Sequence, residues 1–281
     1  MQEAIDKAIG WIKNNSTEEG IYKSNQEKII HTEVSGYFIP TLINYGEREL
    51  AKKWADSLIL SQQDNGSWLN LKDRECMYFT SQILDGLTEF KGYEKEVGKG
   101  MDYLMGIIDD KGIIRNNYYQ GNCLRALYCM DKSAKYLKTK VYNNIIKKSI
   151  DYYISTRPYK FNKKSHFWAY GMEACIRFNK LKEFEKYIDV LGHYDIIPAH
   201  PILTEHIAPT AVAQIANAIF ISKKHTKLGD KYLNWLIDNQ KNNGALLKGY
   251  GGYPYIYYEC SWALKFFLDA CYNRRKLDNE I

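Results

Sequence analysis

The sequence predicts an all-α fold, an (α/α)6 toroid in which inner and outer helices alternate. Three observations carry that expectation. Amphipathic segments alternate with segments almost free of charge. The pairs recur at intervals of roughly 40–50 residues, within the range of helical repeats. Proline is scarce, with 6 residues in 281, so long helices meet few interruptions.

The amphipathic segments show one narrow apolar stripe each. Leu50, Trp54, Leu58 and Ser61 share a helical face, with Glu49, Lys52, Lys53 and Asp56 opposite. Val97, Met101, Leu104, Met105 and Ile108 repeat the pattern against Glu96, Lys99 and Asp102, and Leu228, Tyr232, Trp235 and Leu236 do so again. Similar stripes run over residues 3–14, 140–154 and 181–191. Such helices keep one face on a core and one in water.

The other segments lack a polar side. Residues 34–45, 76–84 and 208–222 carry no charge; 118–130 has only Arg125, 168–176 only Glu173, and 260–268 only Lys265. A helix apolar all round must be covered all round. Closing six pairs into a ring covers the inner row and leaves no open end, so a single domain over 1–281 is expected. Turns at 14–20, 63–68, 109–112 and 239–244 are rich in Asn, Asp, Lys and Gly, with glycine placed to end a helix in the left-handed conformation.

Composition narrows the function classes. A hydrophobic content of 45% supports a large core and excludes disorder. The net charge of +6 is spread without a basic run or nucleic-acid module, so no nucleic-acid partner is expected. Met1 is not followed by a basic-then-apolar leader, and no apolar run approaches the ~18 residues of a membrane span. The six cysteines lack CxxC spacing and mostly sit in apolar segments, which points to a reduced, cytoplasmic protein.

Residues 62–68 read QQDNGSW, placing Gln62, Gly66 and Trp68 in a Q-x-x-x-G-x-W string. This resembles the QW motif of the terpenoid cyclase and protein prenyltransferase toroids, with a weaker echo at Gln240–Leu246. The resemblance implies a structural role, tying an outer-helix end to the following turn. His31–Leu42 and Ser261–Ala270 are similar to segments of uncharacterised α/α-toroid proteins associated with bacterial surface-polysaccharide biosynthesis, which implies work on carbohydrate. The chain also departs from the QW families: it has no DxDD acid motif, Asp109–Asp110 being a bare pair, and no Asp-x-Cys zinc pair. Their chemistry is not implied.

In a helical ring, the starts of inner helices and the loops before them converge on one mouth, where catalytic side chains belong. His31–Thr32–Glu33 precedes Pro40, and Thr204–Glu205–His206 precedes Pro209, so Glu and His adjoin before a Pro-bearing apolar segment twice. The plainer reading is helix capping by Thr32 or Thr204, with Glu favoured by the helix dipole. Arg125 in an apolar helix needs either a buried carboxylate or an anionic ligand. The catalytic candidates are Glu33, His166, Glu205, His206, Tyr257 and Glu259. The substrate-binding candidates are His31, Tyr37, Tyr78, Tyr119, Asn122, Arg125, Trp168, Tyr170, Tyr253 and Tyr258.

These residues favour an enzyme acting on a carbohydrate, an acidic glycan or uronate in one version. Epimerase or lyase chemistry would use Arg125 and Asn122 to hold the carboxylate, with His166, His206 or Tyr257 moving protons. Glycoside hydrolysis would draw a pair of carboxyls from Glu33, Glu205 and Glu259. The alternatives are a terpene-cyclase-like or prenyl-binding protein with an aromatic interior, and a non-catalytic glycan-binding scaffold. The six histidines show neither i,i+4 pairing nor an HExxH string, so no metal or cofactor is expected.

Overall fold

The computed structural model describes residues 1–115, 119–156, 159–162, 164–202, 204–251 and 258–279. Among them twelve helices alternate in kind, and the β-structure amounts to isolated bridges. The buried helices are α2 (Thr32–Asn44), α4 (Met77–Leu87), α6 (Gln120–Tyr136), α8 (Ser165–Arg177), α10 (Pro209–Ser222) and α12 (Ser261–Asn279). The amphipathic ones are α1 (Gln2–Asn14), α3 (Arg48–Leu60), α5 (Glu94–Gly106), α7 (Asn143–Ser155), α9 (Leu181–Leu191) and α11 (Thr226–Asp238). The charge-free segments of the sequence became the first set and the striped ones the second.

The chain forms two compact units: Ser16–Ile21 with Ile30–Arg157, and Met1–Asn15 with Tyr22–Ile29 and Pro158–Ile281. In the first, α2 packs on α4 and α4 on α6, while α3 and α7 pack on α2 and α6, and α5 on both α4 and α6. His31, just before α2, stacks on Phe79 in the first turn of α4, ring centroids 5.5 Å apart at 22°. Arg125 in α6 donates from Nε to Gln82 Oε1 in α4 at 3.0 Å, at matching depth from both helix starts. These pairings set the three buried helices parallel, with their starts at one end.

Two glycines let α2 and α4 touch. A Cβ on Gly86 would overlap the Gly36 carbonyl oxygen, and one on Gly36 would lie 2.6 Å from Ile83 Cα. Pro40 lies inside α2 and has no N–H to offer the carbonyl one turn back, which is that of Gly36. The carbonyl lying against Gly86 is therefore the one that Pro40 leaves without its usual helical donor.

In the second unit, α8 packs on α10 and α10 on α12, with α9 on α8, α11 on α10 and α1 on α12. Tyr170, early in α8, meets Phe266, early in α12, at 5.9 Å between rings. Asn273 donates from Nδ2 to Asn217 Oδ1 of α10 at 2.8 Å.

The QW-like string is a clamp between neighbouring outer helices. Gln62 donates from Nε2 to the carbonyls of Gly66 (3.1 Å) and of Glu96 in α5 (2.9 Å), while Trp68 Nε1 donates to Leu58 O at 2.7 Å. Gly66 has φ +87°, and a Cβ there would overlap the Lys99 carbonyl. In the echo, Gln240 Nε2 donates to Gly244 O and to Ala4 O of α1, both at 2.9 Å. Gly244, at φ +90°, lies as tightly against the Lys7 carbonyl. No helix among the described residues is long and apolar enough to cross a membrane.

Candidate active site

α2 begins at Thr32 with His31 as its N-cap residue, and no side chain caps it. α10 begins at Pro209 after Ala208, well past Thr204, again without a side-chain cap. Neither threonine therefore plays the capping role that was the plainer reading of the two strings. The strings also differ from each other. Pro40 falls late in α2, so Glu33 lies in the first helical turn; Pro209 starts α10, so Glu205 and His206 stay in the loop.

Glu33 is half-buried, and among the described residues its carboxyl has no hydrogen-bond or ion-pair partner. Burial pushes it up to about 8, because a carboxylate there would lose water without gaining a counter-charge. At neutral pH Glu33 is a neutral acid that still holds its proton.

Around that end of the first unit stand the starts of α4 and α6. Phe79 is half-buried beneath the stacked His31 ring. Tyr119, the N-cap residue of α6, is 41% exposed. Asn122 is 6% exposed, yet its side-chain oxygen has no hydrogen-bond partner among the described residues. Tyr37 and Tyr78 are buried core residues.

Arg125 lies deeper, and of its two sequence readings the structure displays the buried carboxylate. Its Nη2 is 2.7 Å from Asp85 Oδ2. The other Asp85 oxygen takes Lys132 Nζ at 2.8 Å, and Lys132 also reaches Glu89 at 2.6 Å. Burial works against the Lys132 charge, but the two carboxylates outweigh it and hold the ammonium above its ordinary range. A substrate carboxylate could engage Arg125 only in competition with Asp85.

In the second unit, His166 lies in the first turn of α8, half-buried, its ring 5.7 Å from that of Tyr170. It has no hydrogen-bond partner among the described residues. Burial, aided by the Lys164 charge, pushes the imidazole down to about 4, so it is neutral at pH 7. Trp168 and Tyr170 are buried; Trp168 donates from Nε1 to Tyr159 O at 2.8 Å and packs on Tyr187. Glu205 is exposed. His206 Nδ1 lies 2.9 Å from Tyr250 O and 3.1 Å from Gly251 O, so this nitrogen carries the proton and pins two loops together.

Glu259 is held on every side. Its Oε2 accepts from Trp11 Nε1 at 2.8 Å, and its Oε1 from Asn243 at 3.0 Å and Lys241 at 2.9 Å. Burial favours the neutral form, but Trp11, Lys241 and Asn243 together hold the carboxyl below its ordinary range. The first unit has an equivalent: Asn65 donates to Glu75 at 2.6 Å, Leu69 bridges Glu75, and Leu247 bridges Glu259. Asn65 and Asn243 each lie three residues past the clamp glutamine, so Glu259 is bound into the same turn architecture as Glu75. Tyr258 is half-buried beneath Lys248 Nζ, 4.9 Å from its ring centroid. Tyr253 and Tyr257 lie outside the described residues.

The structure thus places His31 and Glu33 at the start of α2, Phe79 at that of α4 and Tyr119 and Asn122 at that of α6, with His31 touching Phe79, and His166 near Tyr170 at the start of α8 in the second unit. Sequence reasoning passed over Phe79 and Asp85. Asp85 falls one residue beyond the charge-free run 76–84 and three beyond Gln82, and that helical spacing was the available signal. Among the described residues no three His, Cys, Asp or Glu side chains are grouped as metal ligands.

No protein-family model and no curated protein sequence matches this chain. Solved structures do. An α-amylase from Clostridium perfringens is similar with a TM-score of 0.70 at 11% identity, over 96% of this chain and 97% of its own. A polysaccharide lyase matches at 0.74 and 8% identity, over 100% and 98%. A type II terpene cyclase from Scytonema matches at 0.69 and 11%, over 98% of each chain. At such identities the likeness is one of fold. The chain is an all-α protein of the (α/α)6 toroid class, with the alternating inner and outer helices that the sequence predicts.

Proposed function

We propose that this protein is a carbohydrate-active enzyme that cleaves a glycosidic bond, with the Glu33 carboxyl as proton donor. One observation carries the reading: Glu33 stands at the start of a buried helix without a partner, in surroundings that keep it protonated. Among the described residues the buried carboxylates look different, for Asp85, Glu173 and Glu259 each have a cationic partner. A carboxyl raised toward neutrality by apolar surroundings is the form in which an acid can protonate a leaving glycosidic oxygen. The C–O bond breaks as that oxygen takes the proton; water then adds to the anomeric carbon, and the proton it releases restores the acid.

The carbohydrate part rests on the fold shared with an α-amylase and a polysaccharide lyase, together with the resemblance of His31–Leu42 and Ser261–Ala270 to toroids of surface-polysaccharide biosynthesis. Hydrolysis is preferred to uronate lysis or epimerisation because Arg125, the residue suited to hold a uronate carboxylate, is already bound to Asp85. Turnover of a panel of oligosaccharides by the full chain and by Glu33→Gln tests the reading. The expected loss is about 10²-fold or more, the scale of general acid catalysis, with folding intact. Full turnover in Glu33→Gln would overturn it, and turnover of prenyl diphosphates in place of glycans would move the protein to the terpenoid class.

A further inference from the structure

We infer that the Glu33 site takes an uncharged, hydroxyl-rich sugar, with Tyr119 and Phe79 offering aromatic faces and Asn122 accepting a sugar hydroxyl, and that it does not take a uronate. This deepens the reading of Glu33 given above and rests on it. The first ground is where the cations are. On α2, α4 and α6 the positive side chains are Arg125, Lys132 and Lys135, and each is paired with a carboxylate: Arg125 and Lys132 share Asp85, Lys132 also reaches Glu89, and Lys135 reaches Asp131. Arg125 and Asp85 are almost fully removed from water, so a ligand that drew Arg125 away would strand a buried charge.

The second ground is Glu33 itself. Burial alone accounts for the upward displacement of its carboxyl, and a neighbouring cation would have drawn it down. No neighbouring charge acts on the Glu33 carboxyl, so a uronate carboxylate placed beside it would find an acid and no counter-charge. The third ground is what the site does offer. The Asn122 side-chain oxygen is buried and without a partner among the described residues, an acceptor waiting for a hydroxyl donor. Tyr119 is exposed, and Phe79 is half-buried against His31. Ring faces with a nearby amide suit a pyranose, which presents C–H faces and hydroxyl edges together.

The test uses the full chain carrying Glu33→Gln, which holds substrate without turning it over. Binding is measured by calorimetry to neutral gluco-, manno- and galacto-configured oligosaccharides and to oligogalacturonate and oligoglucuronate of the same length, at low and high salt. The expected result is binding to a neutral series with an affinity that salt does not change, since no ion pair contributes. Adding Asn122→Ala should weaken it about five- to ten-fold, the worth of one hydrogen bond, and Tyr119→Ala should weaken it as well, in variants whose Tm shows that they are folded. Preference for the uronates, with affinity falling as salt rises, would overturn the inference while leaving Glu33 as the acid. Binding to neither series would overturn both.

Discussion

The Asp85 carboxylate lies 2.7 Å from the Arg125 guanidinium, with both side chains nearly removed from water, and the same carboxylate takes Lys132. Removing it alone would leave one guanidinium buried without its counter-ion and deprive an ammonium of one of its two. Asp85→Ala is expected to cost about 3–5 kcal/mol in urea unfolding. A double change, Asp85→Leu with Arg125→Met, should cost clearly less than the sum of the single changes, because it removes the charge and its counter-charge together.

Two glycine-to-alanine changes should have opposite signs. At Gly86 the new methyl would overlap the Gly36 carbonyl, so α2 and α4 would have to separate. A loss of several kcal/mol, with a visibly lower Tm, is the expected outcome. At Gly98 in α5 nothing lies within 4 Å of the added Cβ, and alanine should stabilise by about 0.5–1 kcal/mol through its higher helix propensity.

Glu33 and Glu259 were both catalytic candidates in the sequence, and substitution should separate them. Glu259→Gln breaks the contact with Lys241 and weakens those with Asn243 and Trp11. It should lower stability at neutral pH while turnover persists at temperatures where the variant is folded. Because the Glu259 carboxyl is held below its ordinary 4.5, its contribution is present above that value and lost as pH falls through the lowered one. The difference in Tm between wild type and Glu259→Gln should therefore shrink in acid.

Much of the fold was legible in the sequence, and the reasons are physical. Each buried helix announced itself by lacking a polar side, and each outer helix by a single stripe, so 208–222 and 181–191 nearly coincide with α10 and α9. The clamp at Gln62–Trp68 was legible because Gly66 must both adopt a positive φ and admit the Lys99 carbonyl. The site was less so. Two strings with the same residue types, 31–33 and 204–206, took different roles according to where a proline fell along the helix. Pairing of Arg125 with Asp85 depends on the register between α4 and α6, which no local pattern encodes. The contacts of Glu259 with Trp11, Lys241 and Asn243 were not legible either, the first of these partners being distant in sequence.

Glu33 also sets a pH dependence. A carboxyl raised from 4.5 to about 8 in the folded protein binds its proton more tightly there than in the unfolded chain. Its contribution to stability is complete below pH 4.5 and is lost as pH rises through about 8. Glu33→Gln should remove that decline, so that the variant matches or exceeds wild type in Tm at alkaline pH. Turnover by wild type should fall over the same alkaline range, as the acid gives up its proton.

The protonation state of Glu33 in the native protein is the most direct test. Side-chain carboxyl carbons labelled with ¹³C can be followed by NMR from acid to alkaline pH in wild type and in Glu33→Gln. The expected result is one glutamate resonance titrating with a midpoint near 8 and missing from the variant. Titration of every glutamate within the ordinary carboxyl range near 4.5 would contradict the assignment of Glu33 as the acid.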